Sequence, residues 1–107
     1  MQRYGSVVRL RPEHEEEYVR LHENVWPDVL ERISKSGITN YSIFLRDGYL
    51  FSYFEYIGDD FDADMAAMAA DPETQRWWEM CVPCQEKLPT ANDDEQWVPM
   101  TEVFHHA

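Results

Sequence analysis

Two consecutive segments, residues 38–46 and 49–57, meet around Asp47-Gly48 and are apolar on both of their faces. An Asp-Gly pair between two β-rich runs signals a hairpin, because both central residues of the favoured turn need positive φ. Alternate residues of a strand point to opposite sides, so a half-buried hairpin is apolar on one parity only. Here Tyr41, Ile43 and Leu45 alternate with Phe44, while Phe51 and Tyr53 oppose Leu50, Phe54 and Tyr56. A sheet that is apolar on both faces needs two covers. The chain's helices can supply one, but 107 residues suffice for one core and not for two. The second cover is expected to be another sheet, which implies a homodimer.

The flanking segments complete the order of elements. Residues 3–10 look like a first strand, with Val7 and Val8 again apolar on both sides. Pro12 suits a first helical position, and Glu13, Glu15 and Glu16 complement the positive end of a helix dipole. Tyr18, Leu21, His22, Val25, Trp26, Val29, Leu30 and Ile33 keep the three-four spacing of an amphipathic helix, which Lys35 and Gly37 end. Pro27 interrupts it, and we expect a bend in one helix rather than a full break. Asp59-Asp60 and then Asp71-Pro72 start two further helices, over 61–70 and up to Pro83. Residues 84–98 form a long polar connection, and 100–105 a final strand. This order is that of an α+β, ferredoxin-like split βαβ sandwich, one domain over residues 1–107, which as a dimer forms an α+β barrel.

Charge excludes several functions. With 9 Lys and Arg against 21 Asp and Glu, the net charge of −12 repels phosphate backbones and anionic lipid, so neither nucleic acid nor a membrane is an expected partner. No apolar run approaches a membrane span and the first residues lack a signal-peptide core, so the expected location is cytoplasmic. Two cysteines are too few for a secreted disulfide framework.

Candidate chemistry centres on His22. A histidine on an apolar stripe is often a hydrogen-bonded core residue, but Tyr18 and Trp26 project to the same side at one-turn intervals. That face offers a hydroxyl, an imidazole able to exchange protons near neutrality, and an indole. Trp77 and Trp78 point about 100° apart on their helix, so one can pack while the other lines a cleft, where indole faces suit the C–H faces of sugars. Tyr41 can present its hydroxyl to the same space. Cys81-Val82-Pro83-Cys84 is a C-x-x-C motif, but it ends a helix where redox motifs open one, and only distant His105 and His106 would complete a zinc set. Plain thiols are the expected reading. Glycine-rich phosphate loops, nucleophile elbows and H-E-x-x-H are missing from the sequence.

Glu17-Tyr18, Leu21-His22, Trp26-Pro27, Asn40-Tyr41-Ser42-Ile43, Trp77-Trp78 and the ending Glu102-Val103-Phe104-His105 together resemble the L-rhamnose mutarotase family. The resemblance covers essentially the whole chain. It implies a dimeric α+β fold and an isomerase that interconverts α and β anomers of a 6-deoxy sugar, without cofactor or metal. It also implies that His22 is the proton donor and that Tyr18, Tyr41, Trp77 and Trp78 contact a small neutral monosaccharide. The family's Asn-Pro-Asp-Asn-Ser-Pro segment is replaced here by Thr90-Ala91-Asn92-Asp93-Asp94-Glu95-Gln96-Trp97, which opens the choice between L-rhamnose and L-fucose or a related sugar. Water or a carboxylate of Asp93-Asp94 would serve as the partner base. The rival readings are a cofactor-free monooxygenase, since such dimers also resemble the antibiotic-biosynthesis monooxygenases, and a non-catalytic sugar-binding module.

Overall fold

A computed structural model describes residues 1–107. Strand β1 (Gln2–Leu10) is followed by helices α1 (Glu15–Leu21) and α2 (Pro27–Lys35), the hairpin β2 (Ile38–Arg46) and β3 (Tyr49–Tyr56), helices α3 (Phe61–Ala69) and α4 (Pro72–Cys81), and short strands β4 (Gln85–Glu86) and β5 (Val98–Met100). The sheet is antiparallel in the order β2-β3-β1, with β4 and β5 both on the far edge of β1. This is the ferredoxin-like arrangement.

Asp47 and Gly48 take φ of 54° and 77°, the left-handed pair that a two-residue hairpin requires. One further non-glycine residue at positive φ, Asn40 at 47°, marks a β-bulge at which Asn40 and Tyr41 together face Phe54. Asn40 Nδ2 donates to Glu55 Oε1 at 2.7 Å and pins it. The bulge resets the alternation, so that Tyr41, Ile43 and Leu45 share the helix side with Ile38. Without that extra residue Tyr41 would face away from the site.

The expected bend at Pro27 is a full break. A 3-10 turn, His22–Asn24, ends the first helical segment. Val25 and Trp26 are then extended, with ψ of 136° and 134°. The proline ring clashes with a helical conformation at the residue before it, and once Trp26 is extended Pro27 becomes a favourable first position of a new helix. The Trp26 carbonyl accepts from the N–H groups of Val29 and Leu30, opening α2. The first turn is also 3-10, Pro12–His14, so α1 itself begins at Glu15.

The final strand is likewise displaced. β5 pairs Val98 to Met100 with Val7 to Gly5, and no regular structure follows. The Arg3 guanidinium grips the Glu102 carboxylate at 2.8 and 3.3 Å where a ladder would otherwise continue. Val103 and Phe104, at 93% and 80% exposure, have no surface of this chain to pack on. The long connection after α4 contains β4.

Val8, Leu10 and Leu50 from the sheet meet Tyr18, Val29 and Trp77 from the helices in a core that also includes Cys81 and Cys84. Every buried side-chain nitrogen and oxygen has a hydrogen-bond partner. On the opposite face Phe44 and Phe51 pair across the hairpin, and Phe44 remains 64% exposed. No helix is long and apolar enough to cross a membrane.

Candidate active site

A cavity of about 400 Å³ opens between the helices and the hairpin, and His22, Tyr41, Phe54, Met65, Trp77 and Trp78 are among its lining residues. The break at Pro27 helps to form it, since His22 sits in the turn that closes α1 rather than along a continuous helix. α4 is oriented from its first turn. The Asp71 carboxylate accepts from the Thr74 N–H at 2.9 Å and from its hydroxyl at 2.8 Å, and these bonds hold the Asp71 carboxyl below the usual carboxylate range. From that start Trp77 points into the core and Trp78, 40% exposed, stands at the rim. Trp26 meets the Trp77 ring edge-on at 5.2 Å. It packs on the site rather than lining it.

His22 Nδ1 lies 2.8 Å from the Tyr18 carbonyl oxygen. A carbonyl only accepts, so Nδ1 carries a hydrogen and Nε2 is the nitrogen free to exchange a proton. The ring is held between Tyr18, with centroids 4.3 Å apart, and Trp77, at 5.3 Å. No carboxylate lines this cavity. Neither Asp93 nor Asp94 is part of its wall; their loop folds back on itself, with Lys87 Nζ donating to the Asn92 and Asp93 carbonyls.

Four of the five residues singled out from the sequence, His22, Tyr41, Trp77 and Trp78, share the cavity. Tyr18 lies on the other side of His22, where it lines a second concavity of about 320 Å³ with Glu23, Ile43 and Leu45. Burial raises the pKa of the Tyr18 phenol well above its ordinary value.

A polar relay escaped the sequence reading. Gln96 Nε2 donates to Gln85 Oε1 at 3.1 Å, and Gln85 Nε2 donates to the Tyr18 hydroxyl oxygen at 3.2 Å. Because the Tyr18 oxygen accepts from Gln85, its own hydrogen remains free for another acceptor. Gln96 belongs to the segment that departs from the family pattern, so that segment connects to Tyr18 through Gln85. Nothing in the spacing of Gln85 or Gln96 signals this. Cys81 and Cys84 are free and buried, and burial pushes the Cys81 thiol up to about 12.

The structure thus sets an imidazole of fixed tautomer in an aromatic cavity on a ferredoxin-like sheet, an arrangement with the chemical means to exchange a proton with a small molecule. The family model for L-rhamnose mutarotase matches residues 3–106. Proteins described as L-rhamnose mutarotase from Listeria monocytogenes and Lactiplantibacillus plantarum are 33% and 35% identical to this chain, over 100% and 98% of both partners in each comparison. The crystal structure of an L-rhamnose mutarotase from Formosa agariphila superposes with a TM-score of 0.78 at 22% identity, covering all of both chains. Tetracenomycin F2 cyclase from Streptomyces glaucescens shares the fold at a TM-score of 0.71 and 16% identity, covering 100% of this chain and 97% of its own. The fold is thus common to several chemistries, whereas the sequence match is specific. The chain belongs to the L-rhamnose mutarotase family, whose members are carbohydrate isomerases.

Proposed function

We propose that this protein interconverts the α and β anomers of L-rhamnose, with His22 as the proton-transfer group. The observation that carries the reading is the His22 ring, fixed by the Tyr18 carbonyl and placed beside Trp77 at the cavity. Ring opening of a hemiacetal needs a proton delivered to the ring oxygen and another removed from the anomeric hydroxyl. Protonated His22 delivers the first from Nε2, and the C–O bond breaks to give the open aldehyde. Water takes the second proton, since no carboxylate lines the cavity. Rotation about the C1–C2 bond and the reverse transfers close the ring on its other face. Trp77 and Trp78 cover the apolar side of the sugar and Tyr41 orients its hydroxyls within the cavity, while Tyr18 reaches a hydroxyl from the adjoining concavity, which shares His22 and Ile43 with it.

We also propose a cytoplasmic homodimer. Its support is the uncovered apolar sheet face bearing Phe44 and Phe51, together with two free thiols suited to a reducing compartment.

Magnetisation-transfer NMR on L-rhamnose, with L-fucose in parallel, tests the activity. Wild-type protein accelerates anomer exchange above buffer, and His22→Ala lowers that acceleration by roughly 10²- to 10⁴-fold. Faster exchange with L-fucose than with L-rhamnose would reassign the sugar. Exchange at the buffer rate with both would overturn the mutarotase reading.

A further inference from the structure

Outside the sugar cavity, a second group of chemically versatile side chains comes together from two distant parts of the chain. His14 ends the turn before α1, Glu17 lies in the first turn of α1, and Cys84 ends the 3-10 turn that follows α4. Their donor atoms all lie within 4.8 Å of one another. His14 Nδ1 is 3.6 Å from one Glu17 oxygen, and Cys84 Sγ is 3.8 Å from the other. Donor atoms on a tetrahedral zinc ion, with bonds of about 2.0–2.3 Å, are about 3.3–3.8 Å apart. The two measured pairs lie close to that spacing but involve different Glu17 oxygens, so a small rotation of the exposed Glu17 carboxylate would bring one oxygen to share an ion with Nδ1 and Sγ.

The arrangement is also one-sided. Cys84 is only 1% exposed, whereas the His14 and Glu17 side chains are 39% and 51% exposed. The thiol forms the floor and the other two groups form a rim open to solvent. We propose that His14, Glu17 and Cys84 bind a thiophilic divalent cation, zinc in chemical character, with water as the fourth ligand. A sulfur and imidazole pair selects such an ion over magnesium or calcium, and the carboxylate supplies further negative charge. On binding, a metal–sulfur bond forms and the Cys84 thiol proton leaves to solvent. His14 coordinates through the lone pair of Nδ1.

The site would act as a staple. Glu17 directly precedes Tyr18, and Cys84 directly precedes Gln85, whose amide holds the Tyr18 hydroxyl. An ion joining Glu17 and Cys84 would tie together the two segments that meet at Tyr18, beside the sugar site and not within it. The zinc set that the sequence reading set aside is a different one: Cys81, His105 and His106 are not in this cluster, and the histidines lie on the exposed tail.

Titrating the reduced, full-length protein with Co²⁺ tests the proposal. We expect one ion per chain, with near-ultraviolet thiolate-to-cobalt charge transfer and the visible bands of a four-coordinate ion. Cys84→Ser abolishes the charge transfer, and His14→Ala weakens binding at least tenfold, since loss of an outer-shell partner alone costs roughly 10- to 100-fold. Cys81→Ser and the His105→Ala/His106→Ala double variant retain the signal. Zn²⁺ displaces Co²⁺ and raises the thermal midpoint of the wild type. A missing charge-transfer band at equimolar Co²⁺, a band that survives in Cys84→Ser, or one lost in the tail double variant would overturn the site. If Cys84→Ser does not fold, the solvent-facing His14→Ala decides, and unchanged Co²⁺ affinity in that variant also overturns it. None of these readouts depends on sugar turnover, so the outcome is independent of the mutarotase reading.

Discussion

Leu50 and Phe51 are consecutive residues of β3 that point to opposite sides of the same sheet. Leu50 lies under the helices at 2% exposure, whereas Phe51 faces a side where its cross-strand neighbour Phe44 is 64% exposed. Both faces carry large apolar side chains. On the helix face they form a closed core with every buried polar atom partnered. On the other face the chain stops short. The closed core and the His22 cavity therefore belong to one side of the sheet, and the other side keeps an uncovered apolar surface.

That division predicts substitutions of opposite character at positions one or a few residues apart. Leu50→Ala, which empties a site packed against Val8 and the helices, should cost about 2–5 kcal/mol of stability in denaturant melts. Phe44→Glu, on the uncovered face, should leave the fold and its circular dichroism intact. In sedimentation at micromolar concentration it should shift the proposed dimer to monomer. If Phe44→Glu unfolded the chain as Leu50→Ala does, the open face would be part of the monomer's own core and the comparison would fail.

Within the helix face, the relay behind Tyr18 holds a side chain in place rather than filling the core. Gln85→Leu removes the donor to the Tyr18 hydroxyl and the acceptor for Gln96. Leaving such groups unpartnered costs about 1–3 kcal/mol. Because the proposed role of Tyr18 is to orient a sugar hydroxyl, KM should rise several-fold with less change in kcat. In a double-mutant cycle, adding Tyr18→Phe to Gln85→Leu should have little further effect on KM. Additive effects would separate Gln85 from the sugar site.

Local pattern carried much of this fold. The Asp47-Gly48 turn and the caps at Asp60 and Asp71 are short-range signals, and each is found where the residues placed it, whereas the three-four stripe from Tyr18 to Ile33 is divided between two helices by the break before Pro27. The features that were not legible depend on partners far along the chain. Pro27 is compatible with either a bent or a broken helix, and only the structure shows Val25 and Trp26 extended, with Trp26 against Trp77. The single inserted residue at Asn40 leaves no mark in a run that is apolar on both parities, yet it decides which side Tyr41 faces. Gln85 contacts Tyr18 across 67 positions of sequence. The residues nearest the cavity could thus be named in advance, but not the groups that hold them in place.

The smallest effect expected is at the start of α4, where a surface group governs the placement of Trp77 and Trp78. The Asp71 carboxylate accepts the Thr74 N–H, and its folded pKa is lowered first by that bond and then by the Thr74 hydroxyl. A depressed carboxyl pKa contributes stability that is fully present above the unfolded value, near 3.8, and is lost as pH falls through the folded value. Asp71→Ala should therefore melt slightly below the wild type at neutral pH, and the gap should narrow as the solution is acidified below pH 4. Asp71→Asn keeps an oxygen able to cap the helix but has no titrating charge, so its melting point should lie between the two at neutral pH. Thr74 is 2% exposed, so any loosening of this cap reaches the tryptophans through the helix itself. Indole fluorescence should then shift in Asp71→Ala while the uncovered sheet face keeps its behaviour in sedimentation. A change in assembly without a change in fluorescence would mean that the two faces are coupled, contrary to the division drawn between Leu50 and Phe51.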